Sequence, residues 1–493
     1  MTQTMTSAAT GIAGLDDILR GGFPRDHIYL LQGDPGVGKT TLALQFLREG
    51  AERGETGLYI TLSETAQETR QVAETHGWSL DGISLFELSA VDAAGDVNLE
   101  NTLFDPAEVE LRETMQMLLA RVEEVKPSRV VFDSLSEIRL LSQSALRYRH
   151  QIFALKQYFT GKRSTVLLLD DRSSVNGTDM QVQSLAHGVL SLEQVAPEYG
   201  EARRRLRVLK LRGVKFRGGF HDFSIRTGGL VVFPRLVASE HHTAFERVPL
   251  PSGLAALDTL LGGGLDRGTS TLIAGPAGTG KSILASQFAV AAARRGERAV
   301  IFAFEEAVRT LVARSDALGM GMSELLRDGR LTVQQIDPAE MGAGEFTFTA
   351  KEAVAQGRCK VVVIDSINGL LNAMPQERYL TPQLHELLSF FGQQGVTTLM
   401  VMAQGGMFGQ MTAPVDVSYL ADSVMLLRHF EAFGHIRKAL SVVKKRSGPH
   451  ESTIRELTLD GGGIHIGAPL ASFTGILTGV PTFHGDGGGL SGK

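Results

Sequence analysis

GDPGVGKTT (residues 33–41) lies between the apolar run IYLL and the helix-like segment LALQFLREG, and GPAGTGKSI (residues 275–283) occupies the same place 242 positions later. The pattern G-x-x-x-x-G-K-[ST] between a strand and a helix lets consecutive backbone N–H groups cradle phosphate oxygens, with the helix N-terminus adding favourable potential. The first loop places Gly33, Asp34, Pro35, Gly36, Val37, Gly38, Lys39, Thr40 and Thr41 around a nucleotide. The second places Gly275, Pro276, Ala277, Gly278, Thr279, Gly280, Lys281, Ser282 and Ile283 likewise. In this pattern Lys39 and Lys281 reach the β and γ phosphates of ATP, while Thr40 and Ser282 bind Mg²⁺. A glycine-rich turn that only caps a helix is the plainer reading, and two matches at a fixed offset, each after an apolar strand, argue against it.

Around these loops the chain repeats without a gap. GIAGLDDILRGGFPRDHIYLLQGDPGVGKTTLALQF aligns with GLAALDTLLGGGLDRGTSTLIAGPAGTGKSILASQF, and Leu15/Leu257, Asp16/Asp258, Arg25/Arg267 and Phe46/Phe288 are among the identities. Each copy continues alike: a second strand (GLYITL or AVIFAF), then SRVVFDS or CKVVVIDS, then STVLLL or TTLMVM. Strands alternating with helices predict an α/β fold of two tandem domains, each a mostly parallel sheet flanked by helices. The polar, proline-containing connector RLVASEHHTAFERVPLPSG sets the expected domains at 1–240 and 241–465, with 466–493 as a C-terminal loop and flexible tail ending in HGDGGGLSGK.

Length and composition agree with two large domains. The chain has 493 residues, 43% hydrophobic and 21% charged, ordinary values for a protein that buries sizeable cores. The net charge of −5 gives no general reason to bind nucleic acid or an anionic membrane. A single cysteine, Cys359, excludes an intramolecular disulfide and a cysteine cluster for zinc, and the 13 histidines show no metal-binding spacing. No apolar run is long enough to span a bilayer, and MTQTMTSAAT lacks the features of a secretory signal, so a cytoplasmic location is expected.

Carboxylates at strand ends carry the remaining chemistry. Asp133 and Asp365 end apolar strands, where each can hold magnesium through its water shell, or cap the next helix. In the second copy Glu305 and Glu306 follow AVIFAF, where one can accept a proton from an attacking water or hydroxyl. The first copy has Ser63 and Glu64 there. A serine hydroxyl is a poor base near neutral pH, so the first site is expected to be slow or structural unless Glu64 takes over. For Glu306 and Glu64, capping of the following helix is an equal alternative. Trp78 and the aromatics of RYRHQIFALKQYF read as packing groups.

With both loops, both DS strand ends, TLSET and FAFEEA, and VLKLRG and VVKKRSG in order, nearly the whole chain resembles the KaiC family of tandem RecA-like ATPases. The resemblance implies a two-tiered hexameric ring, a homo-oligomer with ATP at subunit interfaces, in which a K-x-R hairpin contacts the nucleotide held by a neighbour. The matching residues are Lys210 and Arg212, and Lys444 and Arg446. Glu305 matches the family's general base for serine/threonine autophosphorylation, a protein kinase activity, and Ser418 in DVSYLADSVMLL matches the first phosphoacceptor. Tyr419 stands where the family has its second acceptor, a departure that speaks against a two-site cycle. The chain keeps a counterpart of the family's buried loop, GILTGVPTF, and stops soon after, so daily timekeeping is not expected.

Two other functions compete. A nucleotide-gated scaffold would use ATP to assemble a ring that recruits a signalling protein, with Ser63 as the motive for a structural first site. A DNA-acting recombinase relative is suggested by the basic run EARRRLRVLKLRGVKFRGG, but the negative net charge and the lack of an aromatic-plus-basic loop weigh against nucleic acid.

Overall fold

In the computed structural model of the protein, residues 6–88, 106–172, 178–197, 199–372, 380–405, 417–478 and 480–484 are described. The chain divides into two compact units, Met1–Arg235 and Leu236–Lys493. The tail segment expected to be flexible falls, beyond His484, outside the described residues.

The first unit is built on strands β1 (Ile28–Gly33), β2 (Gly57–Thr61), β3 (Ile83–Glu87), β4 (Arg129–Asp133), β5 (Thr165–Asp171), β6 (Gly188–Val195), β7 (Arg203–Leu211), β8 (His221–Arg226) and β9 (Gly229–Phe233). They form one sheet in the order β9-β8-β7-β6-β1-β5-β4-β2-β3. The pairings from β3 to β6 are parallel, and β7, β8 and β9 extend the sheet by antiparallel return strands. Apolar residues run unbroken from Ile28 to Leu31 in β1 because both faces are covered. Tyr29, Leu31, Val131 and Leu167 meet helix α1 (Lys39–Glu52) through Leu42, Phe46 and Leu47. Leu30, Val130, Phe132 and Leu168 face the other way, onto Tyr148, Ile152 and Phe159.

The second unit repeats this plan with β10 (Ser270–Gly275), β11 (Arg298–Ala303), β12 (Leu331–Gln335), β13 (Cys359–Asp365), β14 (Thr397–Ala403), β15 (Ser423–Ala432), β16 (His435–Lys445), β17 (Ile454–Asp460) and β18 (Gly463–Pro469). Their order, β12-β11-β13-β14-β10-β15-β16-β17-β18, is that of the first sheet read from the other edge. Two tandem α/β domains with mostly parallel sheets are therefore present, as the repeat implied. At β4 and β5 against β13 and β14 the aligned strand ends lie 232 positions apart (Asp133 and Asp365, Asp171 and Ala403), because the first copy has a longer segment before β4.

In each sheet the strand that carries the phosphate loop is central, with a parallel neighbour on either side (β5 and β6, β14 and β15), so its loop opens among the carboxyl ends of the parallel strands. Loop, Asp-ended strand and carboxylate-bearing turn converge at that end. Trp78 is buried, as are Tyr148 and Phe159, whereas Phe153 of the same helix is 44% exposed.

Candidate functional site

The first loop leaves β1 at Gly33 and enters α1 at Lys39. Gly36 and Gly38 have φ of 76° and 108°, a left-handed backbone that other residues adopt only with strain. A side chain at Gly38 would also lie 2.7 Å from Ile225 Cδ1. The second loop repeats the geometry, with φ of 78° at Gly278 and 99° at Gly280. Such loops turn their N–H groups inward and suit an anion.

Behind each loop a hydroxyl meets a carboxylate. Thr40 Oγ1 donates to Asp133 Oδ2 at 2.8 Å, and the Tyr59 hydroxyl donates to the same oxygen. Ser282 hydrogen-bonds Asp365 in the second domain. Burial pushes both Asp133 and Asp365 above the usual carboxylate range, and these hydroxyl donors offset part of that shift. A buried carboxylate joined to a hydroxyl is a hard oxygen donor set, which fits Mg²⁺ held partly through water. Neither aspartate caps a helix: the helix after β4 (α2, Leu135–Leu141) is preceded by Ser134.

The lysines are held differently. Lys39 Nζ donates to the carbonyls of Gly33 and Asp34 at 3.0 and 2.9 Å, and pairs with Asp171 Oδ1 at 2.7 Å. Lys281 Nζ donates to the Pro276 carbonyl at 2.8 Å. Burial lowers the Lys281 ammonium below the usual lysine range, against the pull of Asp365 and Glu305.

At the turn after β11 the two glutamates part company. Glu306 reaches Arg314 Nη2 at 2.8 Å, on helix α3 (Val308–Ala317), whereas Glu305 is exposed and acts electrostatically on both Lys281 and Asp365. The capping alternative fails for Glu306, since Ala307 occupies the N-cap and no side chain caps it. It fails for Glu64 as well. Thr65 caps the following helix and forms a reciprocal box with Glu68, which leaves the Glu64 carboxylate outside the cap. Partial desolvation beside the loop raises the Glu64 carboxyl above its ordinary value, and Asp133, Glu68 and Asp171 push it further. Ser63, like Glu64, is exposed in this turn.

The K-x-R residues lie elsewhere. Leu211 pairs with Gly188, which pairs with Tyr29, so Lys210 and Arg212 sit toward the end of the sheet where β1 begins, opposite the loop. Lys210 Nζ donates to the carbonyls of Gln183 and Ala186 at 2.8 and 2.7 Å, and Arg212 to that of Ser184 at 3.1 Å. In the second domain Lys444 Nζ donates to the carbonyls of Ser418 and Ala421 at 3.0 and 2.6 Å, and Arg446 to that of Tyr419 at 3.3 Å. The structure thus brings Ser418 together with the second hairpin.

Sequence reading passed over Asp170, Asp171 and Arg139, although LLLDDR against LMVMAQ in the second copy held the signal. Asp170 is fully buried and pairs with Arg139, beside Lys39's partner Asp171.

Residues 8–237 and 250–471 match the family described as ATPase: KaiC. The chain belongs to the KaiC ATPase family. Over 496 residues it is 28% identical to the circadian clock protein KaiC3 of Synechocystis sp., covering 98% of this chain and 96% of that protein. The circadian clock oscillator protein KaiC of Thermostichus vulcanus is 28% identical over 96% of this chain and 91% of its own length, and that of Prochlorococcus marinus 28% over 96% and 95%. Membership of this ATPase family accounts for the repeated phosphate loops and implies ATP binding. Among the described residues no helix is long and apolar enough to cross a membrane.

Proposed function

We propose that this chain is a Mg²⁺-dependent ATPase that assembles into a ring, hexameric by its family resemblance, with ATP at the subunit interfaces and serine/threonine autokinase capacity in the second domain. The observation that carries the reading is the cluster of loop lysine, hydroxyl and aspartate, built twice, with Asp133 buried and Asp365 partly so. In each domain the loop N–H groups bind phosphate, the lysine positions it, and the hydroxyl–aspartate pair holds the metal. Mg²⁺, when bound, neutralises charge on the phosphates. Glu305 accepts the proton of the attacking water or, since Ser418 lies with the second hairpin at the opposite end of the sheet, of a neighbouring subunit's Ser418 hydroxyl.

Ring assembly is supported by where the K-x-R hairpins lie. Placed toward the end of the sheet opposite their own loop, Lys210, Arg212, Lys444 and Arg446 reach a nucleotide only if a neighbouring subunit presents one. A cation supplied in trans offsets the charge that develops in phosphoryl transfer. The test is native mass with and without MgATP, with phosphate release and phosphosite mapping on the same samples. A monomer under all conditions sinks the ring, and no phosphate release sinks the ATPase.

Ser63 favours a second reading for the first domain alone, a nucleotide-gated scaffold that recruits a signalling protein. Lys39→Ala then dissolves the oligomer while second-domain turnover persists; an unchanged ring overturns it. The DNA reading is weakened because several guanidinium groups of the basic run are paired within their own domain, Arg204 with Glu201 and Arg217 with Asp17. Glu193 pairs with Arg172, Arg205 and Arg207, and the last two guanidinium groups lie 4.2 and 4.8 Å from the Phe220 ring centre.

A further inference from the structure

Beyond Ser63 against Glu305, the two phosphate sites differ at one further position, the end of the strand beside the loop strand. Asp171 ends β5, the strand between the loop strand β1 and the Asp133 strand β4, and is in register with Gly33 at the mouth of the loop. In the second domain the residue in register with Gly275 is Ala403, which offers no charge.

Asp171 is aimed at the loop lysine. Its Oδ1 lies 2.7 Å from Lys39 Nζ, while its other carboxylate oxygen accepts a hydrogen bond from Ser136 Oγ at 3.3 Å. Lys39 is only 8% exposed and Asp171 39%, so one end of the pair is desolvated and the other faces the crevice. At the position of Ser136 the second domain has Asn368, whose side-chain amide is spent on the backbone of Ala403, donating to its carbonyl at 2.9 Å and accepting from its N–H at 2.6 Å. The charge of Asp171 also bears on Asp133 and Glu64, so three carboxylates share the first site.

A phosphate that enters this loop must share or take Lys39. An ammonium has three donors, and two of them already serve the carbonyls of Gly33 and Asp34. The third is the one that Asp171 holds. Close approach of a polyphosphate to that carboxylate brings like charges together, a repulsive element of the kind by which sites are tuned downward. We propose that Asp171 is a built-in competitor of the nucleotide for Lys39, a residue that lowers the affinity of the first site for ATP and has no counterpart in the second. This rests on the nucleotide-binding reading above.

The test uses the full-length chain carrying Lys281→Met, which confines binding to the first site, and MgATP titrated by calorimetry. Asp171→Asn and Asp171→Ala are expected to bind about tenfold tighter than their parent, since a charge-assisted competitor is removed. Glu64→Gln removes a neighbouring charge that does not touch Lys39 and is expected to tighten binding by less than about twofold. In the reciprocal arm, Ala403→Asp in a Lys39→Met background weakens the second site by about the same tenfold factor. Unchanged or weaker binding by the Asp171 variants overturns the inference, as does an equal gain from Glu64→Gln. Should the Asp171 variants fail to fold, Ala403→Asp decides alone, and unaltered affinity there is a refutation. If the parent itself binds no MgATP while its fold is intact, the nucleotide reading falls and the competitor with it.

Discussion

Two adjacent carboxylates, Glu305 and Glu306, separate the proposed chemistry from its surroundings. Glu306 is tied to Arg314 at 2.8 Å, with side-chain exposures of 24% and 40% for the pair. Replacing it with glutamine loses a half-exposed ion pair worth at most about 1 kcal/mol, less than about a fivefold effect if all of it reached the transition state. Glu305 is exposed on the crevice side, and its charge registers at both Lys281 and Asp365. Loss of a general base costs about 10²–10⁴ in rate, or roughly 3–5 kcal/mol. Glu305→Gln should therefore lower kcat at least about a hundredfold. Nucleotide affinity should hold or improve, because a negative charge leaves the phosphate site. Phosphate release at saturating MgATP, in a Lys39→Met background that silences the first loop, reads kcat directly, and equilibrium titration reads affinity. Equal loss from Glu305→Gln and Glu306→Gln, or a larger loss from Glu306→Gln, refutes the assignment. A fall in affinity with kcat intact refutes the proton-transfer role.

Three further outcomes are expected. Asp133→Asn weakens the donor set shared with Thr40 and Tyr59 and raises the magnesium concentration needed for nucleotide binding in the first domain by about tenfold, measured by magnesium titration. Arg129 is wholly buried and donates to Glu55 at 2.6 Å and to the carbonyls of Ala9 and Phe46 at 2.7 and 2.6 Å, so Arg129→Ala, which leaves Glu55 its pairing with Arg25, takes the donor from both carbonyls, opens a cavity and destabilises the first domain by about 2–4 kcal/mol in denaturant unfolding. His221 accepts the Arg235 N–H at Nδ1 and faces the Arg217 carbonyl through Nε2, and burial pushes it down to about 4 from an ordinary 6.5. The unfolded chain then takes up a proton that the folded chain refuses, so stability is full above pH 6.5 and falls, by on the order of 3 kcal/mol, as pH drops toward 4. His221→Gln should flatten melting temperature against pH in that window, and an unchanged slope refutes the argument.

The fold was legible because duplication wrote it twice. Unbroken apolar runs ending in GDPGVGKTT and GPAGTGKSI, with VVFDS and VVVIDS behind them, leave few alternatives to a parallel sheet with loops at one end. The site was legible where residues lie next to the loops in sequence. Asp171 was not, because the offset between copies changes from 242 to 232 before β4, and LDD reads as the end of an apolar strand until the register sets it beside Gly33. The buried Arg129 was hidden for a related reason. A charged residue opening a strand reads as an exposed end, and only the packing of α1 and Glu55 over it makes it internal. The position of the K-x-R hairpins depended on antiparallel return strands, whose pairing partners no local pattern names.

The same loop in two settings favours two different tasks. In the first domain the loop's charges are answered from within: Lys39 by Asp171, and Asp133 by the hydroxyls of Thr40 and Tyr59. Position 301, where the second copy aligns with Tyr59, is Ile301, so Asp365 lacks the tyrosine donor and relies on Ser282. There Arg314 draws Glu306 aside and leaves Glu305 free of that pairing at the crevice. A site whose lysine is held by an internal carboxylate yields it only to a strongly charged ligand and suits slow occupancy. The second site's equally buried Lys281 faces no carboxylate at the position of Asp171, which fits the turnover proposed for that domain. If the division of labour lies in these few side chains rather than in the fold, exchanging Ser63 for glutamate together with Asp171 for alanine should move first-domain phosphate release toward the second domain's rate, measured in a Lys281→Met background. A double variant no faster than its parent would place the difference elsewhere, in the hairpins that neighbours supply.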